Sequence, residues 1–115
     1  MKDSIGDPAS CKGIWNLWGY KTTGGFGVHE FLQWCEDLGA EPLYVINCGM
    51  GHGYALPMGR EMDEKVQDAL DLLEYARGPV SSRWGAARAE NGRVKPFKLK
   101  YIEIGNENGG KEYEE

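Results

Sequence analysis

Leu99-Lys100-Tyr101-Ile102-Glu103-Ile104 runs without a break into Gly105-Asn106-Glu107-Asn108, and on this stretch the fold turns. The first six residues are dense in β-branched and aromatic side chains, the composition of a strand. A carboxylate directly after an apolar strand stands at the strand's carboxyl end, where α/β barrels carry their catalytic groups. Glycoside hydrolysis needs such a carboxyl group to protonate the leaving oxygen, opposite a second carboxylate. The Asn106 amide offers both donor and acceptor to a sugar hydroxyl, and Gly105 and Gly109-Gly110 permit close approach of backbone to a ligand. Alone, Gly-Asn-Glu is a weak signal, because strand-to-loop turns commonly carry these residues.

Toward the N-terminus, Leu43-Tyr44-Val45-Ile46-Asn47 lies between Pro42 and Gly49. Its near-continuous apolar character predicts a strand buried on both faces, as in a parallel sheet. Before it, Val28, Phe31, Leu32, Cys35 and Leu38 recur at helical spacing and Gly39 supplies the stop. After it, a Gly-rich connection over 49–59 leads to a helix whose stripe is Met62, Val66, Ala69, Leu70, Leu73 and Ala76. Asp63 and Glu64 suit the positive end of that helix's dipole, and Gly78-Pro79 ends it. Ser82 caps a shorter helix from Arg83 to Glu90, closed by Asn91-Gly92. Residues 1–25 hold no period and read as an irregular aromatic and Gly-rich loop, so the βα units occupy 26–115. The order helix, strand, helix, small helix, strand is that of an α/β layer with parallel strands.

The chain has 115 residues, whereas a closed (β/α)8 barrel needs about 250. Two strands alone make a marginal sheet. The expected architecture is therefore α/β, a fragment of a (β/α)8 TIM barrel with about two strands and their helices, ending after strand four. A complete small α/β domain with a frayed tail is the competing reading. The 17 glycines follow no short period and belong to turns and close approaches. A net charge of −5 and a pI near 5.1 argue against a nucleic-acid partner, and no apolar run reaches membrane-spanning length. The first thirteen residues lack the apolar core of a signal peptide, which leaves the compartment open. Cys11, Cys35 and Cys48 have no C-x-x-C spacing, and His29 and His52 lie far apart, so neither a metal nor a cofactor is expected.

Several ordered blocks resemble the barrel domain of glycoside hydrolase family 51, the α-L-arabinofuranosidases. They are GVHEFL (27–32), CEDLGAEP (35–42), VQDALD (66–71), EYARG (74–78), Trp84-Gly85 with Arg88-Ala89, and PFKLKYIEIGNE (96–107). KDSIG (2–6) and WNLWGY (15–20) resemble the family's preceding loop less specifically. The resemblance implies a retaining mechanism in which Glu107 is the general acid/base and Asn106 holds the furanose 2-hydroxyl. It also implies an arabinofuranosyl-containing oligo- or polysaccharide as substrate, and leaves homo-oligomerisation of a full-length form open. The family's nucleophilic Glu, at the end of the seventh strand, has no match in this chain. Glu112, Glu114 and Glu115 read as solvated surface at a helix start. The 115 residues alone are therefore expected to be inactive.

Other residues admit two readings. Trp15 and Trp18, with Tyr20, either stack on sugar or pack over the barrel rim. Asn47 either supports the site or fixes the strand-to-loop turn, and His52 is a candidate rim contact. His29 and Glu30 read as helix-capping or surface groups, and Cys35 and Cys48 as small core residues. Glu103 either faces a polar barrel interior or pairs with a neighbour. The functional alternatives are a non-catalytic carbohydrate-binding or interaction remnant, and another barrel glycosidase with Asn-Glu after strand four.

Overall fold

The computed structural model describes residues 2–16, 18–50 and 57–114, apart from the side chains of Glu112 and Glu114. Two short 3-10 turns, Lys2–Ser4 and Pro8–Ser10, precede a small antiparallel hairpin of β1 (Ile14–Trp15) and β2 (Lys21–Thr22). The remainder runs α1 (Val28–Asp37), β3 (Leu43–Ile46), α2 (Arg60–Arg77), α3 (Arg83–Glu90), β4 (Tyr101–Ile104) and α4 (Lys111–Glu114). β3 and β4 pair in parallel, Leu43 opposite Tyr101 and Ile46 opposite Ile104. The described residues thus form an α/β unit around a two-stranded parallel sheet, with no closed barrel.

Local chemistry explains the helix ends. The Gly27 N–H donates to Glu30 Oε2 at 2.9 Å, closing the first turn of α1. At the other end Gly39 takes φ +68°, its N–H reaches Glu36 O, and the Ala40 N–H reaches Cys35 O at 2.8 Å. That is the paired pattern of a Schellman stop. The Ser82 hydroxyl accepts from the Gly85 N–H and caps α3.

One core joins these pieces: Val28 and Leu32 of α1, Leu72, Tyr75 and Ala76 of α2, and Phe97 and Leu99 of the approach to β4. Tyr44, Ile46 and Ile102 pack on it from the sheet. Two expectations are corrected. β3 is buried on one face only: Leu43 and Val45, with Tyr101 beside them, are 53%, 44% and 59% exposed, because no described element of this chain covers the far side. Glu103, opposite Val45 in register, stands on that open face. In α2, Ala76 is buried and Leu73 packs on the core as expected, but Val66 and Leu70 lie outside it and the inward face also takes in Leu72 and Tyr75.

His29 is also corrected: it is half-buried, edge-on to Phe97 with ring centroids 5.3 Å apart. Its Nδ1 lies 2.8 Å from the Tyr75 hydroxyl, which accepts from Asn91 Nδ2 at 2.9 Å. This geometry accommodates a neutral ring, with the hydroxyl donating to a bare Nδ1 while it accepts from Asn91. Burial lowers the His29 pKa from its ordinary 6.5, with nearby Glu30 opposing the shift and Arg93 adding to it. A lowered folded pKa makes the unfolded chain bind more protons, so this stability is full above pH 6.5. It is lost as pH falls below 6.5 through the lowered folded value. The melting temperature is expected to fall between pH 7.5 and 5.5, and to flatten over that range in His29→Gln. A flat wild-type profile would contradict this account.

Candidate functional site

β3 and β4 run parallel, so their carboxyl ends lie side by side and deliver Asn47 and Gly105 to the same edge of the sheet. The Gly105 N–H continues the ladder to Ile46 O at 2.8 Å. Gly105 is buried at φ +76°, and a Cβ there would overlap Asn108 Oδ1 and stand 2.9 Å from Cys48 Sγ. Only glycine lets the chain leave β4 along this path.

The side chain of Asn108 turns back over the loop. Its Oδ1 accepts the Asn106 N–H at 2.8 Å and the Cys48 thiol at 3.4 Å. Glu107, between the two asparagines, is exposed and takes φ +54°, the single positive φ among described non-glycine residues. Such a conformation is uncommon for a glutamate and must be held by its surroundings. Beyond the loop, the Tyr113 hydroxyl of α4 donates to Ile104 O and ties the returning chain to the end of β4.

An open depression at this edge is lined by Val45, Ile46, Asn47, Met50, Asn106 and Asn108, with Gly105 at its floor. Asn47 and Asn106 are thus brought together, and Glu107 follows immediately without lining the depression. Asn47 Oδ1 accepts the Gly49 N–H at 2.6 Å, fixing the turn after β3. Trp15 and Trp18 do not reach the depression. They sit on the hairpin, each 72% exposed, where Asn16 Oδ1 accepts the Trp18 N–H and the Asn16 N–H donates to Tyr20 O. His52 and Glu115 lie outside the described residues, as do the side chains of Glu112 and Glu114. Among the described residues no group of three or more His, Cys, Asp or Glu is placed to hold a metal ion, and no helix is long and apolar enough to cross a membrane.

Asn108, Cys48 and Tyr113 are the residues of this edge that sequence reading passed over or placed elsewhere. Cys48 is only half-buried and belongs to the loop contact, while Cys35 is in the interior of α1. A thiol and an amide sixty residues apart leave no local pattern.

Comparison with known proteins adds a family context. A family model described as the alpha-L-arabinofuranosidase 1 domain matches residues 1–115. The chain is 47% identical over 98 residues to alpha-L-arabinofuranosidase 1 of Arabidopsis thaliana, covering 85% of this chain and 14% of that protein. It is 39% identical over 109 residues to the extracellular exo-alpha-L-arabinofuranosidase of Streptomyces chartreusis, covering 92% and 13%. Among solved structures it is similar to the arabinose complex of an alpha-L-arabinofuranosidase from Thermotoga maritima. There the TM-score is 0.75 at 31% identity, over 92% of this chain and 20% of that one. An arabinose-bound family-51 α-L-arabinofuranosidase gives a TM-score of 0.84 at 33% identity, over 92% and 17%. The chain spans about one seventh of the length of the two curated relatives.

Proposed function

This chain belongs to the alpha-L-arabinofuranosidase 1 domain family, and on that premise we propose that it is the part of a retaining α-L-arabinofuranosidase barrel that carries the acid/base. The observation carrying this reading is Glu107, set directly beyond the parallel strand β4 and next to Asn106 at the shared carboxyl edge. Glu107 protonates the departing oxygen, then deprotonates the water that hydrolyses a covalent arabinosyl–enzyme ester. Asn106 holds the furanose 2-hydroxyl. The nucleophilic carboxylate comes from outside these residues, across a gap of about 5 Å. The exposed Leu43, Val45 and Tyr101 face the interior of the completed barrel, and Trp15 and Trp18 offer aromatic faces to the arabinofuranosyl polymer.

The test has two arms, read with an aryl α-L-arabinofuranoside. The 115-residue chain alone is expected to give no turnover above its Glu107→Gln control. A chimera in which residues 2–114 replace the matching segment of a full-length relative is expected to hydrolyse the same substrate. A chimera that is folded by circular dichroism but inert would overturn the reading, as would activity in the isolated chain.

A further inference from the structure

The left-handed backbone at Glu107 requires a holder, and the loop contains one. Asn108 Oδ1 receives two donors that arrive from different strands: the Asn106 N–H at 2.8 Å, just before Glu107, and the Cys48 thiol at 3.4 Å, just after β3. Both lone-pair directions of one amide oxygen are therefore used to join the two strand ends. Gly105 leaves the space that this side chain fills, since any Cβ there would collide with Asn108 Oδ1. Three features thus converge on one atom: a missing Cβ, a backbone donor and a thiol donor.

We propose that Asn108, tethered by Cys48, is a positioning residue that fixes the Asn106-Glu107 backbone relative to the substrate edge. The inference rests on the acid/base assignment of Glu107. Without the acceptor, Glu107 relaxes from φ +54° toward the ordinary negative-φ region, which swings its carboxyl away from the scissile oxygen. Asn106, whose own N–H is held by the same atom, moves with it. A general acid must lie within hydrogen-bond reach of the proton's destination, and a misplacement on the order of 1 Å lowers rate about 100-fold.

The first arm of the test uses the 115-residue chain and amide hydrogen exchange. Exchange at Asn106 is expected to accelerate about 10-fold or more when its acceptor is removed in Asn108→Ala. Asn108→Asp, which keeps the accepting oxygen, should retain protection, and Cys48→Ser, which keeps a donor, should retain more than Cys48→Ala. Unchanged Asn106 exchange in Asn108→Ala overturns the tether. The second arm uses the active chimera. Asn108→Ala is expected to lower kcat about 10- to 100-fold with KM within about twofold. Asn108→Asp should recover most of kcat, while its added charge beside Glu107 moves the alkaline limb of the pH profile upward. A change confined to KM, or no recovery with aspartate, overturns the positioning role. A chimera indifferent to Glu107→Gln instead overturns the acid/base assignment, and the positioning role with it, even where the exchange arm has succeeded.

Discussion

Glu107→Gln in an active chimera is expected to lower kcat/KM about 10²- to 10⁴-fold on substrates with a sugar leaving group. The effect should depend on the leaving group. A sugar alkoxide departs only when protonated, so the first step fails without the carboxyl proton. An activated phenolate departs unaided, so with an aryl arabinofuranoside the first step survives and the second, which needs a base to activate water, becomes limiting. The arabinosyl–enzyme ester then accumulates, which lowers KM together with kcat. In Glu107→Ala, azide should enter the vacated space, attack the ester without base assistance and restore turnover. Two inversions give an azide of retained, α configuration. A β-azide would make Glu107 the nucleophile. Equal losses on activated and unactivated substrates, without azide rescue, would remove it from proton transfer altogether.

How far the chain could be read in advance follows from how local each signal is. α1 was legible at both ends, because Glu30 below Gly27 and the positive φ of Gly39 are encoded within one helical turn of the positions they fix. The parallel pair was legible from the composition of 43–46 and 101–104, but the far face of β3 was not. Composition states what a strand can bury, and the elements that cover it must be supplied by the rest of the molecule. In α2 two apolar stripes run side by side, Val66-Leu70 and Leu72-Tyr75, with Ala76 buried beside the second though read with the first, and periodicity does not choose between them. The choice is made by partners distant in sequence: Phe97 and Leu99 to pack on, and His29 and Asn91 for the Tyr75 hydroxyl.

The candidate site divides along the same line. Glu107 and Asn106 could be singled out because a carboxylate and an amide immediately follow a strand. The contact that holds them could not, because Cys48 meets Asn108 only once β3 and β4 are paired. His29 misled for the same reason. A histidine in the first turn of a helix usually faces solvent, and here Tyr75 and Phe97 close over it.

Arg88→Met is expected to destabilise the chain by about 3–5 kcal/mol, because it removes the donor from three main-chain carbonyls at once. Arg88 is completely buried, and its guanidinium donates to three main-chain carbonyls: Tyr75 O at 2.8 Å, Arg93 O at 3.1 Å and Val94 O at 3.0 Å. Burial pushes its pKa down, yet an arginine stays protonated at any pH where the fold survives. Methionine fills much of the volume but donates nothing, and each stranded carbonyl costs about 1–3 kcal/mol. Arg88→Lys keeps the charge, but its compact ammonium cannot reproduce the three-way fork, so a smaller loss of about 2 kcal/mol is expected. Against a total stability of about 5–15 kcal/mol for a small domain, the methionine variant should unfold at far lower urea. The carbonyls at 93 and 94 belong to the connection that leads to Phe97, Leu99 and β4. Arg93 strengthens that connection, its Nη2 lying 2.6 Å from the buried Glu36 Oε2 as an ion pair without hydrogen-bond alignment, and its guanidinium 4.6 Å from the centre of the Phe97 ring. Urea titrations of wild type, Arg88→Lys and Arg88→Met should therefore rank in that order. A methionine variant within about 1 kcal/mol of wild type would mean that the carbonyls find other donors, and that Arg88 does not fix the path from α3 to β4.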